Sequence, residues 1–410
     1  MTSNYRKIGD FIQQVNTKNE DGSIELLLGV NLDKVFINSV ANTIGTDMTK
    51  YKVIKKGQFG CKLMSVGRDK KLPISRLVDY ENAIISSAYY VFEVVDENIL
   101  NPEYLMMWFS RPESDRYLWF QSGGDVRGRI TWDDLCQLPI KVPSIEKQNE
   151  IVAEYNTIVN RIKLNEILNQ KLEDTAQALY KHWFVDFEFP NADSKPYKSS
   201  GGEMNYNEEL DMEIPFGWEV KTVNDAVELG RGSSPRPIVN YISNEGMPWI
   251  KIADATKSFN QFLLETKEFI IEEGVPKSRL LEPGTLILAN SGSLGTFQIL
   301  DIQACAHDGW HIFYDWKLVS RQFMTKFLQY YNDDILTSAY GSVFTNLKLD
   351  SLRVYPIIIP NERVMDLFTK LVIQLEEYQL TLAKEVQLFA KLKDLILSKM
   401  SKVNTKTAVV

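Results

Sequence analysis

The sequence predicts an α+β protein in which two similar mixed α/β domains are joined by two long antiparallel coiled-coil helices, with an internal pseudo-twofold repeat. Three observations predict this class: a block of residues that occurs twice, a long stretch without glycine or proline after each copy, and apolar residues at coiled-coil spacing in both stretches. A chain of 410 residues is also long enough for more than one domain.

The repeated block occupies residues 124–143 and 341–360, which align at an offset of 217 residues without a gap. Seven of the twenty positions are identical, among them Pro143 with Pro360, which close the two copies. Each copy reads as a turn, a short helix or bend, and an apolar strand that ends at a proline. An identity this dense at a fixed offset predicts a duplicated unit.

Two long helices are predicted directly after the block, because residues 146–184 and 361–400 contain neither glycine nor proline. Residues at alternating spacings of four and three form the predicted seam in each stretch. In the second stretch this spacing includes Leu371, Tyr378 and Leu392. The seam residues that we take as defining the pair are Ile151, Tyr155, Ile158, Ile162, Asn165, Leu172, Leu179, Phe368, Leu375, Leu382, Phe389 and Ile396.

Asn165 is a polar residue on this apolar seam, and the repeat aligns it with Leu382. A polar residue at such a position fixes the register of a coiled coil at some cost in stability. We therefore expect Asn165 to contribute to the register of the helix pair.

The first helix ends in the segment ALYKHWFVDFEFP at 178–190, where aromatic residues are followed by an extended exit and Pro190. Proline prevents further helix at this point. The aromatic side chains of Trp183, Phe184 and Phe187 either pack against the protein itself or form a docking site for a partner. The sequence leaves both possibilities open.

The predicted organisation follows from these elements and from a segment rich in Pro, Ser and Gly, which indicates a flexible linker. The boundaries are a first domain at 1–143, a central long helix at 144–189, a linker at 190–213, a second domain at 214–360, a distal long helix at 361–400 and a flexible tail at 401–410.

Composition excludes several classes of protein. The chain carries 46 Lys and Arg against 54 Asp and Glu, a net charge of −8, so bulk electrostatics alone would not hold nucleic acid. Three widely spaced cysteines argue for a reducing compartment and against a disulfide framework or a zinc ribbon. No stretch is long and apolar enough to span a membrane, and the N-terminus lacks a secretory signal, so a cytoplasmic protein is expected.

Three motifs together resemble the specificity subunit of type I restriction-modification systems: LPIKVPSIEKQNEIVAEY at 138–155, ALYKHWFVDFEFP at 178–190 and EIPFGWEVKTV at 213–223. The resemblance covers essentially the whole chain. It differs at Glu188-Phe189-Pro190, where an extra aromatic residue precedes the proline.

The resemblance implies two target recognition domains, each of which reads one half of a bipartite DNA site, with the helices setting the spacer. It implies binding to double-stranded DNA and to two methyltransferase (M) subunits and endonuclease/translocase (R) subunits. S-adenosylmethionine, ATP and Mg would belong to those partners, and this chain would bind no cofactor of its own.

Motifs for independent catalysis are missing from the sequence. There is no (N/D)PP(Y/F) loop of an adenine methyltransferase, no P-loop and no PD-(D/E)xK nuclease centre. His307 and His311 are four residues apart, but a glycine lies between them, which favours packing or base-edge hydrogen bonding over a metal site. We therefore expect a non-catalytic recognition subunit with no metal of its own.

Candidate DNA contacts are basic and amide side chains in glycine-containing loops, because phosphates bind Lys and Arg and base edges bind Arg, Asn and Gln. The strongest group is the four basic residues within the nine positions 68–76 of the stretch KLMSVGRDKKLPISR at 62–76. The candidates are Arg68, Lys70, Lys71, Arg76, Arg127, Arg129, Arg231, Arg236, Asn290, Ser291 and Ser293.

Two other functions remain open from the sequence. A coiled-coil scaffold whose end domains bind proteins would suit the acidic balance of charge. A stand-alone enzyme is disfavoured by the missing motifs. Methyl transfer by the pure chain would distinguish the enzyme, and methylome mapping would distinguish the recognition subunit from the scaffold.

Overall fold

The computed structural model describes residues 5–39, 45–123, 128–256, 260–339 and 346–402, and the chain divides into two compact units. Unit 1 comprises residues 1–161 together with 389–410, and unit 2 comprises residues 162–388. Two long helices, the central helix Ile145–Phe184 and the distal helix Glu362–Lys399, contribute residues to both units. The predicted class is confirmed: the chain has two mixed α/β domains and two long helices.

Unit 1 is built around a four-stranded antiparallel sheet. Three two-stranded antiparallel ladders accompany it. The strand order of the main sheet is Ile12–Val15, Tyr90–Val94, Phe59–Cys61 and Ile74–Arg76. The ladders are Arg6–Lys7 with Pro139–Ile140, Leu28–Val30 with Phe36–Asn38, and Lys52–Lys55 with Asn82–Ile85.

The α-helices of unit 1 follow this sheet in the chain, except for the short helix Val66–Asp69, which lies between two of its strands. Pro102–Ser110 begins at Asn101, whose side chain accepts hydrogen bonds from the backbone N–H groups of Glu103 and Tyr104. This cap and the proline at the first helical position define the start of the helix. The other helices are Val66–Asp69, Pro112–Gln121 and Trp132–Cys136.

Unit 2 contains two five-stranded sheets, and a buried apolar core lies on each. The first sheet has the order Val227–Arg231, Trp310–Trp316, Leu286–Ala289, Phe297–Leu300 and Phe262–Leu263. The second has the order Ile242–Ser243, Glu268–Ile270, Met247–Ile250, Ala304–Ala306 and Arg279–Leu281. The helices of this unit are Val223–Ala226, Ile252–Ala255, Arg321–Tyr330, Asn332–Ala339 and Leu349–Arg353.

The described parts of the repeated block, residues 128–143 and 346–360, have the same order of elements in both units, and the predicted turn at the start of each copy lies outside the described residues. In unit 1, Arg6 pairs with Ile140 in an antiparallel ladder, and in unit 2, Lys221 pairs with Ile357. Each ladder joins an early strand of its domain to the apolar strand that precedes a long helix, and a short helix comes just before that strand. The predicted order of short helix, strand and long helix is confirmed.

The two long helices pair in opposite directions. In unit 2, Asn165 donates a hydrogen bond to Glu385 (Nδ2 to Oε2, 2.8 Å), and Asn169, one turn later, donates to the backbone carbonyl of Gln379 at 2.9 Å. Partner numbers therefore fall as residue numbers rise, which defines an antiparallel pair. In unit 1, the start of the central helix shares one apolar core with Leu397 and Met400.

Most of the predicted seam residues are at least partly buried. Ile151, Ile158, Asn165, Phe368 and Leu382 are buried. The half-buried ones are Tyr155, Ile162, Leu172, Leu179, Leu375, Phe389 and Ile396.

The strict four-three spacing is wrong at the alternate positions of the distal helix. Leu371, Tyr378 and Leu392 are exposed by 43%, 49% and 42%. The buried alternate positions are instead Val372, Gln379 and Val386, so the first two lie one residue later than predicted. The positions seven residues apart from Phe368 to Ile396 remain buried or half-buried, so the heptad itself is kept.

The aromatic end of the central helix packs into the core of unit 2. Phe187 and Phe189 are 1% and 4% exposed, and the Phe189 ring stacks on Trp218 with centroids 4.9 Å apart. Phe184 lies edge-on to Phe368 at 4.8 Å. Of the two possibilities left open by the sequence, packing against the protein itself is the one observed.

The segment 190–213 differs from the flexible linker predicted for it. Tyr197 stacks on Phe189 at 4.5 Å, and the Asn191 side chain accepts hydrogen bonds from the backbone of Asp193 and Lys195. Met204–Asn207 then pairs with Met212–Pro215 in a hairpin. The polar residues here form turns, because Asn and Ser side chains bond nearby backbone groups.

No helix within the described ranges is long and apolar enough to cross a membrane. Of the predicted tail, Ser401 and Lys402 belong to a short 3-10 turn, Met400–Lys402. Residues 403–410 lie outside the described residues.

Candidate nucleic-acid interface

The basic loop of unit 1, residues 62–72, presents three of the predicted contacts on one exposed turn. Arg68 lies on the short helix Val66–Asp69, and its guanidinium donates two hydrogen bonds to Asp69, at 2.7 and 2.9 Å. Lys70 follows in the left-handed conformation with φ of 55°, and Lys71 is exposed beside it. The loop therefore turns sharply at Lys70 and directs three cationic residues to the surface.

Aromatic rings lie under the ammonium groups of this loop. The Nζ atom of Lys70 is 5.2 Å from the centroid of Trp119, and that of Lys62 is 5.9 Å from Tyr89. Such contacts restrict a lysine side chain while leaving its ammonium donors open to an anion. This arrangement suits phosphate binding by lysine side chains, which are otherwise flexible.

A buried ion pair anchors the end of the basic loop. Asp115 accepts a hydrogen bond from the backbone N–H of Leu72 at 3.0 Å and contacts Lys34 Nζ at 2.9 Å. Both side chains are largely buried, at 11% and 8% exposure. Burial lowers the pKa of Lys34, the Asp115 carboxylate opposes that effect, and the nearby charge of Lys71 adds to it. The loop is thus tied to helix Pro112–Gln121 through Asp115.

Arg76 is not part of this loop, contrary to its grouping in the sequence. It ends the strand Ile74–Arg76, where its Nε donates to the carbonyl of Gly57 at 3.3 Å and its Nη1 lies 3.5 Å from Glu103 Oε1. Glu103 in turn accepts a hydrogen bond from Asn156 of the central helix at 3.0 Å. These contacts line a cavity of about 430 Å³, and they connect the sheet to the helices.

Two predicted DNA contacts of unit 1 remain, Arg129 and Arg127. Arg129 is exposed. Arg127 lies outside the described residues.

In unit 2, three predicted contacts converge on one residue that the sequence did not single out, Asp308. Arg231 donates from Nε to the Asp308 carbonyl at 2.7 Å, and Arg236 donates from Nη2 to Oδ2 at 3.0 Å. The carboxamide of Asn290 also donates to the Asp308 carbonyl, at 3.1 Å, and Ser234 donates to Oδ1 at 2.8 Å. We call these five residues the Asp308 cluster.

Two glycines allow the cluster to form. A Cβ atom at Gly232 would lie 2.0 Å from the carbonyl oxygen of His307, and one at Gly309 would lie 2.2 Å from the His307 ring. The close approach of the chain after Arg231 to the loop 307–309 therefore requires glycine at 232, and the position of the His307 ring requires glycine at 309.

The electrostatics of the cluster keep the Asp308 carboxylate ionised. Burial alone would raise the pKa of Asp308, but the hydrogen bond from Ser234 and the charge of Arg236 hold that pKa below its usual value. Arg236 is 78% exposed in its side chain, so its other guanidinium donors face solvent. The cluster thus presents arginine donors that suit a phosphate or the edge of a guanine.

Asn290 and the nearby serines have less exposed roles than expected. Asn290 is 3% exposed, and its backbone carbonyl accepts from Leu347, so it supports the loop instead of facing a ligand. Ser291 lies beside Gly309 and is half-buried. Ser293 is half-buried, and its carbonyl accepts from the backbone of Thr296 at 3.2 Å.

The two histidines of HDGWH have separate structural roles. His307 Nδ1 accepts a hydrogen bond from the backbone of Gly309 at 2.6 Å, while His311 is buried and its Nε2 contacts the carbonyl of Leu347 at 2.9 Å. Burial lowers the pKa of both rings. Across the part of the chain that the structure describes, no group of three His, Cys, Asp or Glu residues is arranged to hold a metal ion.

Comparison with known proteins gives a consistent result. The model of the type I restriction modification DNA specificity domain matches the chain twice, at residues 30–174 and 215–381. The chain is 28% identical over 304 residues to the type I restriction enzyme MjaIX specificity subunit of Methanocaldococcus jannaschii, which covers 73% of this chain and 68% of that protein.

Two further likenesses extend over nearly the whole length. The type I restriction enzyme HindI specificity subunit of Haemophilus influenzae is 22% identical over 458 aligned residues, covering 96% of this chain and 97% of that protein. The crystal structure of the type I restriction-modification S subunit from M. genitalium has a TM-score of 0.56 at 15% identity, over 97% of this chain and 95% of that one. The second likeness concerns the fold.

Proposed function

Because the chain belongs to the type I restriction modification DNA specificity family, we propose that it is the DNA sequence-specificity subunit of a type I restriction-modification enzyme. Each mixed α/β domain reads one half of a bipartite DNA site, and the long helices set the spacer between the halves. The observation that carries the proposal is the double family match, since each matched region contains one such domain and much of the long helix after it.

The partners in this proposal are double-stranded DNA, two methyltransferase subunits and the endonuclease/translocase subunits. The chain itself is non-catalytic and acts in the cytoplasm. S-adenosylmethionine, ATP and Mg²⁺ bind to the partner subunits. The net charge of −8 is consistent with a division of labour in which partners supply much of the phosphate contact.

Two surfaces are proposed to contact DNA. The basic loop of unit 1 contacts DNA through Lys70 and Lys71, whose exposed ammonium groups suit phosphates, and through Arg68, whose guanidinium suits a phosphate or a base edge. The Asp308 cluster of unit 2 binds through Arg231 and Arg236, whose guanidinium groups can form paired hydrogen bonds with a phosphate or guanine. Arg129 is a further candidate for phosphate contact.

The test is a methylome measured in cells that contain the partner subunits, with the gene for this chain present and deleted. We expect one bipartite methylated motif that disappears on deletion and returns on complementation. An unchanged methylome in cells with active partner subunits would reject the proposal. The family match supports DNA recognition over the scaffold alternative, which would leave the methylome unaltered.

A second assay addresses catalysis by this chain. The purified protein is incubated with DNA and labelled S-adenosylmethionine, alone and with the methyltransferase subunits. We expect transfer only in the complete mixture, because the sequence has no methyltransferase loop. Robust transfer by the chain alone would contradict the non-catalytic role.

A further inference from the structure

A buried polar network crosses the helix pair of unit 2, beside a largely polar cavity of about 270 Å³. It comprises Asn169 and Glu173 of the central helix, Gln379 of the distal helix, Lys326 of helix Arg321–Tyr330, and Gln261 next to a sheet strand. Lys326 is fully buried, and the other four side chains are at most 12% exposed. We call these residues the register network.

The contacts of the register network converge on two functional groups, the Gln379 carboxamide and the Glu173 carboxylate. Gln379 donates to Glu173 at 3.0 Å and accepts from Gln261 at 2.9 Å. Lys326 forms an ion pair with Glu173 and also reaches Gln261, at 3.3 Å. Each polar side chain thus has a hydrogen-bond or ion-pair partner within the network. The network joins the two long helices, helix Arg321–Tyr330 and the sheet at one point.

Only one alignment of the helices satisfies this network. A displacement of the distal helix by one turn would carry Gln379 about 5.4 Å from Glu173 and Gln261, beyond hydrogen-bond distance. The buried carboxylate and amides would then lose these partners, and leaving a buried polar group unpaired costs free energy. Apolar side chains on the same seam discriminate far less between the two alignments, because they can pack in either.

The network is absent from the corresponding positions of the repeat. An offset of 217 makes Val386 and Ala390 equivalent to Asn169 and Glu173, and Ile162 equivalent to Gln379. These are apolar, so the duplicated helix architecture does not itself require buried polar residues there. A buried ion pair is also weak evidence for stability, since apolar replacements of both partners are often neutral. A role in alignment accounts for both facts.

We propose that the register network is the lock that fixes the axial register of the central and distal helices, and through it the DNA spacer that the protein accepts. Glu173, Lys326 and Gln379 are the positioning residues. The contact from Asn169 discriminates less, because it reaches a backbone carbonyl and such carbonyls recur along the helix. The spacer part of this inference rests on the proposed function, whereas the register part does not.

The first test measures register directly by double electron–electron resonance on the full chain. Spin labels are attached at Lys171→Cys and Asp366→Cys, both exposed, in a Cys136→Ser background; Cys61 and Cys305 are buried. Since Phe368 contacts Trp183 and the helices are antiparallel, these labels are separated by about 21 Å along the helix axis, so a slip changes their distance almost directly.

The lock variant combines Glu173→Leu, Lys326→Met and Gln379→Leu. We expect one distance in the parent protein and a second population, displaced by about 5 Å, in the lock variant. The matched control replaces an exposed ion pair on the central helix, with Lys147→Met and Glu150→Leu, and should keep one distance. A single unchanged distance in the lock variant would overturn the proposal, and so would loss of the cooperative fold, because it would make the network a stability element.

The second test is the methylome of cells that carry the same variants with the partner subunits. We expect unchanged half-sites in the lock variant, with additional spacers that differ by one or two base pairs, from a slip of about 5.4 Å against 3.4 Å per base pair. A slipped register with an unchanged spacer would support the register part of the proposal and contradict the proposed role of the helices in DNA spacing. A parent protein without a bipartite motif would contradict the proposed function itself.

Discussion

Asp308 determines how Arg231 and Arg236 are presented at the surface of unit 2. It holds Arg236 through its carboxylate and Arg231 through its carbonyl, and Ser234 donates to the same carboxylate. Because the Arg236 pair is exposed, it contributes little to stability, about 0–1 kcal/mol. We therefore propose that this pair serves to place guanidinium donors for a ligand.

Arg236→Ala is expected to weaken DNA binding by the assembled enzyme without lowering its melting temperature. If Arg236 contacts a phosphate, the slope of log K against log salt should decrease by about 1. Fluorescence anisotropy over a range of salt concentrations measures this. Arg363→Ala is the control, since Arg363 is exposed and donates only to the carbonyl of Asn191 among its described contacts. Equal slopes for Arg236→Ala and the parent would count against a phosphate contact.

Asp115 makes a different prediction, because it is buried. Asp115→Ala would leave the Lys34 ammonium and the backbone N–H of Leu72 without their carboxylate partner. Removing one member of a buried pair costs about 3–5 kcal/mol, so the free energy of unfolding should fall by that amount. Urea denaturation measures the change. The double variant Lys34→Met with Asp115→Leu should be less destabilised than Asp115→Ala; the reverse order would refute a buried-charge effect.

At the scale of elements, the aromatic exit of the central helix packs the end of that helix into the core of unit 2. Phe187 adopts a φ of 60°, which is unusual for a residue other than glycine, and its ring is edge-on to Trp218 at 5.8 Å. The backbone turn lets Phe184, Phe187 and Phe189 all enter one core. The chain thus changes direction at the helix end without exposing these rings.

Phe187→Ala should lower the free energy of unfolding by about 3–5 kcal/mol, because it leaves a cavity in this core. The control is Phe216→Ala, whose side chain is 57% exposed and whose replacement should change stability by less than about 0.5 kcal/mol. Both are measured by chemical denaturation. A small effect of Phe187→Ala, combined with loss of partner binding, would instead support the docking role.

The sequence predicted elements better than contacts. The helices were expected at 144–189 and 361–400 and are observed at Ile145–Phe184 and Glu362–Lys399, because composition and spacing are local signals. The alternate seam positions of the distal helix were predicted one residue too early, because Leu371 and Val372 are both apolar and the sequence alone does not show which of them faces the core. The order of segment 190–213 was missed because its turns depend on Phe189, which stacks on Tyr197.

The candidate site shows the same limit. Arg231 and Arg236 could be proposed from their loop, but their partner Asp308 lies 72 or more residues away in sequence, and only the fold brings it near. Arg76 is close to Arg68 in sequence, yet alternation along a strand and the contact with Glu103 separate it from the basic loop. Spacing identifies residues that share a segment, whereas partners from other segments require the structure.

At the scale of the whole molecule, duplication and divergence have separate consequences. The repeated block closes each domain with the same ladder, so both units share a framework. Their candidate DNA surfaces differ: unit 1 offers a lysine-rich loop, and unit 2 offers arginines held by Asp308. Two readers with one framework and different surfaces suit a target whose halves differ in sequence.

This division predicts that specificity changes are confined to one half of the target. Arg68→Lys and Arg236→Lys each keep the charge but remove the planar fork that pairs with a base edge. If these arginines read bases, each change should lose about 1–3 kcal/mol of discrimination at one position, Arg68→Lys in one half-site and Arg236→Lys in the other. Methylome sequencing of the two variants and the parent measures the result, with Arg363→Lys as control. Degeneracy in the same half for both variants, or in both halves for either, would contradict independent reading, whereas uniformly weaker methylation with an unchanged motif would assign the arginines to phosphate contacts.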